Sequence, residues 1–313
     1  MNTICNNSHS DFTLLGFSDK SYLEKILLIF YCLTLTGNML IVLLSLKNTK
    51  LHIPMCFFLS SLSLLNLCFT SSCVPQMLIN FWGPEKTISY TGCAIQLYIF
   101  LCLGATECVL LVIMAVDRYV AVCHPLQYST IMHPKVCLQL ALLAWGTGLV
   151  QSLIQSAATL QLPFCSHHMV DDIVCEVPEL KQLSSTDTTY NEIQMSIASA
   201  VLLVMPLIII LSSYGAIAKA VLRIKSTSRQ RKAFGTCTSH LLAVLLFYGT
   251  VTAVYLQPKN HYAHKWGKFI TLFYTVITPT LNPLIYTLRN KEVKGVLIRL
   301  KRRICDFQNK LGG

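Results

Sequence analysis

Charge is what this sequence has least of. Only 12% of its 313 residues are Asp, Glu, Lys or Arg, about half the share of an ordinary soluble domain. Hydrophobic residues make up 53%, and the mean hydropathy is +0.55. A soluble α/β protein of this length is excluded. Strand-like alternation of apolar and polar residues is missing too. In lipid every backbone N–H and C=O must be paired internally, so long apolar runs without that alternation form helices, not an open sheet. Catalytic signatures are also absent: there is no His, Ser, Asp set, no HExxH, no phosphate-cradling glycine loop, and no second intramembrane acid to work with Glu107. The chain is therefore not read as an enzyme. A transporter would carry paired Gly/Pro-broken helices in two matching halves and more midplane charge, and neither is found. No basic segment with an apolar core and small-residue cleavage site precedes Ile26, so the first apolar run is read as an uncleaved signal anchor.

What the sequence does have is seven apolar stretches, roughly Ile26 to Leu46, Phe57 to Ile79, Leu97 to Val122, Leu138 to Leu160, Met195 to Leu222, Leu241 to Leu256 and Phe269 to Leu288. A helix needs about 20 apolar residues to cross a hydrocarbon core about 30 Å thick. The expectation is an all-α membrane protein, a seven-helix bundle with the lipid bilayer as its solvent. Its parts are an outer segment 1–25, a membrane domain 26–288 and a basic cytoplasmic segment 289–313.

The formal charge of +11 invites a nucleic-acid reading, but the placement of the charges argues against it. With the N-terminus outside, 18 of the 25 basic residues fall on the inner side, including Lys47, Arg118, Lys135, a run from Lys219 to Lys232 and eight after the last helix. The outer segment from Gln161 to Glu192 has Lys181 alone against six acids. This is the positive-inside bias, and it puts the N-terminus outside and the C-terminus in the cytoplasm. Asn6, Asn7 and Ser8 then form an N-glycosylation acceptor in the right compartment.

Fourteen cysteines resemble a disulfide scaffold until they are sorted by depth. Cys32, Cys68, Cys102 and Cys108 lie within apolar runs, where a free thiol behaves as a small hydrophobe. Cys93, Cys165 and Cys175 sit at the oxidising face. Cys93 precedes Arg118 by about 37 Å of helix, so it is at the outer face if Arg118 is at the inner one. Spacing alone does not choose its partner. The loop histidines His167, His168, His261 and His264 invite a metal reading, but without a matched carboxylate or thiolate set they are read as solvated.

Five strings occur in order on the expected sides of the expected helices: LHIPMCFFLSSLSLLNLC from Leu51, MAVDRYVAVCHPL from Met114, SYGAIAKAVLRI from Ser213, KAFGTCTSHL from Lys232 and PTLNPLIYTLRNKEV from Pro279. They resemble rhodopsin-like G-protein-coupled receptors, in the version found in odorant receptors, over nearly the whole chain. The resemblance implies a multi-pass plasma-membrane receptor that binds a small neutral odorant inside the bundle. It implies coupling to a stimulatory, olfactory-type heterotrimeric G protein that raises cAMP, no cofactor, and a short amphipathic helix after the seventh span. A receptor for another small apolar ligand outside olfactory tissue is the alternative.

Carried over residue by residue, the resemblance makes Asp117, Arg118 and Tyr119 the G-protein-facing end of the third helix. Asn282, Pro283 and Tyr286 become an activation switch, with Tyr214 as partner. Pro283 places a missing backbone donor inside the seventh helix, and the carbonyl it frees needs another partner. The family pairing implies a bridge from Cys93 to Cys175. A second bridge usual in the family, starting at the position of Cys165, would end where this chain has Ser184 and Ser185, so Cys165 is expected to be unpaired.

The cavity positions are Phe100, Leu101, Gly104, Ala105 and Cys108 on the third helix, Ala198, Ser199 and Leu202 on the fifth, Tyr248, Val251, Thr252 and Tyr255 on the sixth, and Leu272 and Thr275 on the seventh. None is charged, so a cationic amine would be buried without a partner. Asn66 stands where the family usually has an aspartate that helps hold sodium. Glu107 is expected to hydrogen-bond Asn66 and a neighbouring serine, with weak sodium binding.

Overall fold

The computed structural model describes residues 11–16, 21–47, 53–83, 86–164, 169–184, 186–255, 265–289 and 295. Asn6, Cys165, the four loop histidines and the expected amphipathic helix lie outside the described residues.

Seven helices are long and apolar enough to span a membrane: α1 (Ser21–Lys47), α2 (Pro54–Trp82), α3 (Tyr90–Cys123), α4 (Pro134–Leu160), α5 (Thr189–Leu222), α6 (Thr227–Tyr255) and α7 (Gly267–Tyr286). They begin and end where the sequence supplies the signals. Prolines at the first turn of α2 and α4 cost no hydrogen bond there. The Ser89 hydroxyl caps α3 by accepting from the Gly92 N–H at 3.0 Å. Several helices overrun the apolar stretches: α1 starts at Ser21 and not Ile26, α5 at Thr189 and not Met195, and α6 at Thr227 and not Leu241. Hydropathy marks only the part in hydrocarbon, whereas a helix extends into water with its backbone bonds intact.

The centre of the bundle is α3. In its most apolar stretch 67% of residues are buried, against 22% in the corresponding stretches of α1 and α5, which turn large side chains such as Ile29, Leu33, Ile197 and Ile208 outward to lipid. One cluster of buried side chains joins α1, α2, α3, α4 and α7, and a second joins α3 to α5 and α6. The close approach of α4 to α3 depends on Gly148, where a Cβ would overlap Thr106 Oγ1 and lie 2.5 Å from the Cys102 carbonyl oxygen.

Proline sets the irregularities of α5 and α7. Pro206 and Pro279 cannot donate to the carbonyls four residues back. Just ahead of each, the ladder slips one residue into a π turn, at Ala200–Val204 and Phe273–Ile277, where the Met205 N–H reaches the Ala200 carbonyl and the Thr278 N–H the Phe273 carbonyl. Pro283 frees the Pro279 carbonyl, and Asn38 Nδ2 on α1 donates to it at 3.1 Å. Gly37 lets α1 come this near, since a Cβ there would stand 3.1 Å from the Pro283 ring.

Outside the membrane three short strands form a sheet of order β2-β1-β3: β1 (Phe12–Leu14), β2 (Thr87–Ile88) and β3 (Met169–Val170). β1 runs antiparallel to β2 and parallel to β3. Together with Cys93, bonded to Cys175, and with Leu97, Val177 and Leu180, they make a small apolar cap over the outer end of α3.

Gly148→Ala should drive a methyl group into Cys102 and Thr106 and destabilise the bundle by about 1 to 3 kcal/mol. Gly146→Ala, where a Cβ meets nothing within 4 Å, should be silent. Surface labelling and thermal unfolding of the two variants check this pair.

Candidate functional site

Below the cap lies a cavity of about 780 Å³, its open mouth included, walled by α2 to α7 and by Val177 of the outer loop. Of the expected positions, Phe100, Leu101, Gly104, Ala105, Cys108, Ala198, Ser199, Leu202, Val251 and Tyr255 line it. Four expected positions do not. The Tyr248 hydroxyl is turned onto the Cys108 carbonyl at 3.2 Å, and Thr275 is fully buried with its hydroxyl on the Thr271 carbonyl at 2.6 Å. Thr252 is absent from the wall, and Leu272 lines a separate apolar cavity between α1, α2 and α7.

The wall also holds residues that sequence reasoning missed: Phe69, Glu107, Gln151, Gln155, Met195, Leu203, Phe247 and Tyr274. Glu107 overturns the expectation of a wall without charge. It does not pair with Asn66, whose Nδ2 donates instead to Asn38 Oδ1 at 3.3 Å while its own Oδ1 has no partner among the described residues. Tyr274 is presented by the π turn of α7, edge-on to Phe100 at 5.8 Å between ring centroids, and Phe100 in turn meets Phe69 at 5.1 Å.

The loop from Met169 to Gln182 roofs this cavity. The Cys93–Cys175 disulfide ties it to α3, and the Gln96 side chain accepts from the Cys175 N–H at 2.9 Å. Three contacts tie it to α7: Tyr274 donates to Glu176, Thr271 to Asp172 at 3.0 Å, and Lys268 pairs with Asp171 at 2.6 Å. Lys268 also donates to the Gly16 carbonyl at 2.9 Å, which brings the outer segment into the same latch.

At the inner end Asp117 is fully buried and accepts from the Tyr128 hydroxyl at 2.8 Å, while Arg118 lies 3.8 Å from Asp117 and 3.2 Å from Met55 Sδ. Tyr119 approaches His124 at 3.4 Å. Tyr214 does not join Asn282 and Tyr286: it stacks on His240 and shares a 2.7 Å hydrogen bond with that ring. The Asn282 Oδ1 and the Tyr286 hydroxyl are buried without partners among the described residues.

The architecture, the two ends and the five strings meet in one comparison. The family model described as "Olfactory receptor" matches residues 27–303. The chain belongs to the olfactory receptor family. It is 61% identical to human Olfactory receptor 2H1 over 94% of each chain, 61% identical to human Olfactory receptor 2H2 over 94% of this chain and 96% of the relative, and 55% identical to mouse Olfactory receptor 2C1 over the same shares. As a member it is a multi-pass plasma-membrane odorant receptor and not an enzyme.

The roof of this receptor concentrates acid. Burial pushes the Asp172 carboxyl up to about 6, against the Ile173 N–H, Thr271 and Lys268, which favour its charged form. Burial, then Asp172 and Asp171, pushes Glu179 up to about 7. Burial, then Asp172, holds Glu176 well above the usual carboxylate range. Each group takes up protons more readily in the docked roof than in water. Docking is therefore strongest below the ordinary carboxylate range and weakens as pH rises through about 6 to 7. The melting temperature of the purified receptor should be a few degrees higher at about pH 5 than at about pH 8, and Glu179→Gln should shrink that difference.

Proposed function

We propose that this receptor binds small, neutral, largely apolar odorants in the cavity beneath the roof. Binding shifts the bundle toward a state that couples to a stimulatory, olfactory-type G protein through Arg118 and the inner ends of α5 and α6, raising cAMP. The observation that carries this reading is the cavity itself. It is roofed by a disulfide-anchored loop and lined mainly by apolar and aromatic side chains, with Glu107, Gln151, Gln155 and Ser199 as polar groups that can orient a ligand. Its floor reaches Cys108 and Leu203, which pack in the same cluster as Tyr214 and Ile217 toward the inner end. A ligand that prefers one arrangement of α3, α5 and α6 biases the inner face accordingly.

Among the described residues Arg118 lies within reach of no partner stronger than Asp117 on its own helix and a thioether, so an incoming protein can take its guanidinium without breaking a lock between helices. In cells carrying a cAMP reporter, Arg118→Ala should abolish the response to an agonist found in a panel of neutral volatiles, at unchanged surface level. A full response from a well-expressed Arg118→Ala receptor overturns the coupling route. Amines belong in the same panel because Glu107 faces the cavity. Amine activation that disappears in Glu107→Gln would overturn the neutral-ligand reading.

Gly104 offers a control on the place of binding. It lines the cavity, and a Cβ there meets nothing within 4 Å. Gly104→Val should fold, fill space and cut the potency of the bulkiest agonists about tenfold or more while sparing the smallest. Equal potency across sizes would place the ligand elsewhere.

A further inference from the structure

The odorant reading leaves one side of the cavity unexplained. Helix α4 is not among the elements the sequence implicates in binding, yet Gln151 and Gln155, one turn apart, both line the wall. Gln155 is 3% exposed, and neither Nε2 nor Oε1 of its amide has a hydrogen-bond partner among the described residues. Most polar groups around it are spent, although the Gln194 Oε1 is also without a partner among the described residues. Ser152, Ser156 and Thr159 return their hydroxyls to backbone carbonyls of their own helix. Asn191 and Gln194 of α5 donate to the Ala158 and Ile154 carbonyls at 2.9 and 3.3 Å, fastening α5 to α4 beside Gln155.

A buried amide with both its donor and its acceptor unused is costly, typically about 1–3 kcal/mol for each group left unmade. Ser199, on the α5 side of the same wall, adds a hydroxyl. Aromatic side chains from three other helices, Phe100, Phe247, Tyr255 and Tyr274, line the same cavity. The cavity thus offers a ligand amides from α4 and aromatic faces from α3, α6 and α7.

We propose that Gln155 is a specificity-determining residue that recognises odorants carrying a hydrogen-bond donor and acceptor on neighbouring atoms, lactams and primary amides being the simplest class. This rests on the cavity being the odorant site. The carboxamide donates through Nε2 to the ligand carbonyl and accepts through Oε1 from the ligand N–H, closing a two-bond ring, while the hydrocarbon part lies against the aromatic side chains. A site built around such a pair rejects analogues lacking one partner much more strongly than it rejects a change of one methylene.

The test uses lactams of five to eight ring atoms, their N-methyl derivatives, which lose the donor, and cycloalkanones of matching ring size. These are applied to cells expressing the full-length receptor with a cAMP reporter, with surface level measured in parallel. The expected result is a lactam at least about tenfold more potent than its N-methyl and ketone counterparts in the wild-type receptor. Gln155→Leu and Gln155→Met, which keep volume and lose the amide, should abolish that preference, with lactam potency falling to or below that of the ketone of matching ring size. Lactam and N-methyl lactam of equal potency in wild type overturn the proposal without any variant, as does a lactam preference that survives in either variant. Those results leave the odorant cavity standing if Gly104→Val still discriminates by size. Lactam preference with no size discrimination by Gly104→Val would instead remove the cavity reading, and this inference with it.

Discussion

Two proline-broken helices, α5 and α7, have to close their backbone hydrogen bonds where no water is at hand, and Asn38 is where that constraint is met most directly. Its side chain donates to the Thr34 carbonyl of its own helix at 2.9 Å and to the Pro279 carbonyl, the one Pro283 leaves without a donor, and it accepts from Asn66 of α2. It is fully buried. One amide thus joins α1, α2 and α7, and Gly37 beside it brings the backbones near enough for the contact to form. Thr34 and Thr280 reinforce the seam one turn further out with a 2.5 Å hydroxyl contact. In hydrocarbon, where an unmade backbone bond costs several kcal/mol, this polar seam does what apolar burial does in a soluble core.

The same constraint shapes the cavity. The π turns ahead of Pro206 and Pro279 each insert an extra residue into the ladder and rotate the rest of the helix. One carries Leu202 and Leu203 to the wall, and the other carries Tyr274. Proline therefore sets both the irregularity of the helices and the aim of the side chains that line the void, and the roof is latched to one of those same side chains through Glu176.

The seven spans were legible because each is a continuous apolar run, and the inner and outer faces because lysine and arginine are so unevenly divided. Most of the cavity positions on α3 and α5 came from the family resemblance, by their place along helices that the quoted strings anchor. Other features were not. Glu107, Gln151 and Gln155 are polar residues in apolar helices, and sequence does not say whether such a residue turns to a neighbour or to a void; the spacing of Gln151 and Gln155 by one turn was the available signal. Tyr248 and Thr275 carry the same hydroxyl-bearing chemistry as true lining residues and are spent on backbone carbonyls. The partner of Tyr214 was misjudged because His240, also within its reach, sits on a neighbouring helix whose rotation only packing decides. A strand of three residues such as Phe12–Leu14 has no periodicity to detect.

That strand changes what the outer segment is for. Because β1 lies between β2 and β3, the N-terminal peptide is the middle strand of the sheet, and the loop after α2 and the roof over the cavity meet in that sheet only through it. The peptide is thus a mechanical handle on the outer wall of the cavity. Bulk attached near Phe12, by an antibody, a fused tag or a glycan, would act through backbone hydrogen bonds on the loop over the cavity. An epitope placed there for convenience would sit on a strand that is hydrogen-bonded to that loop.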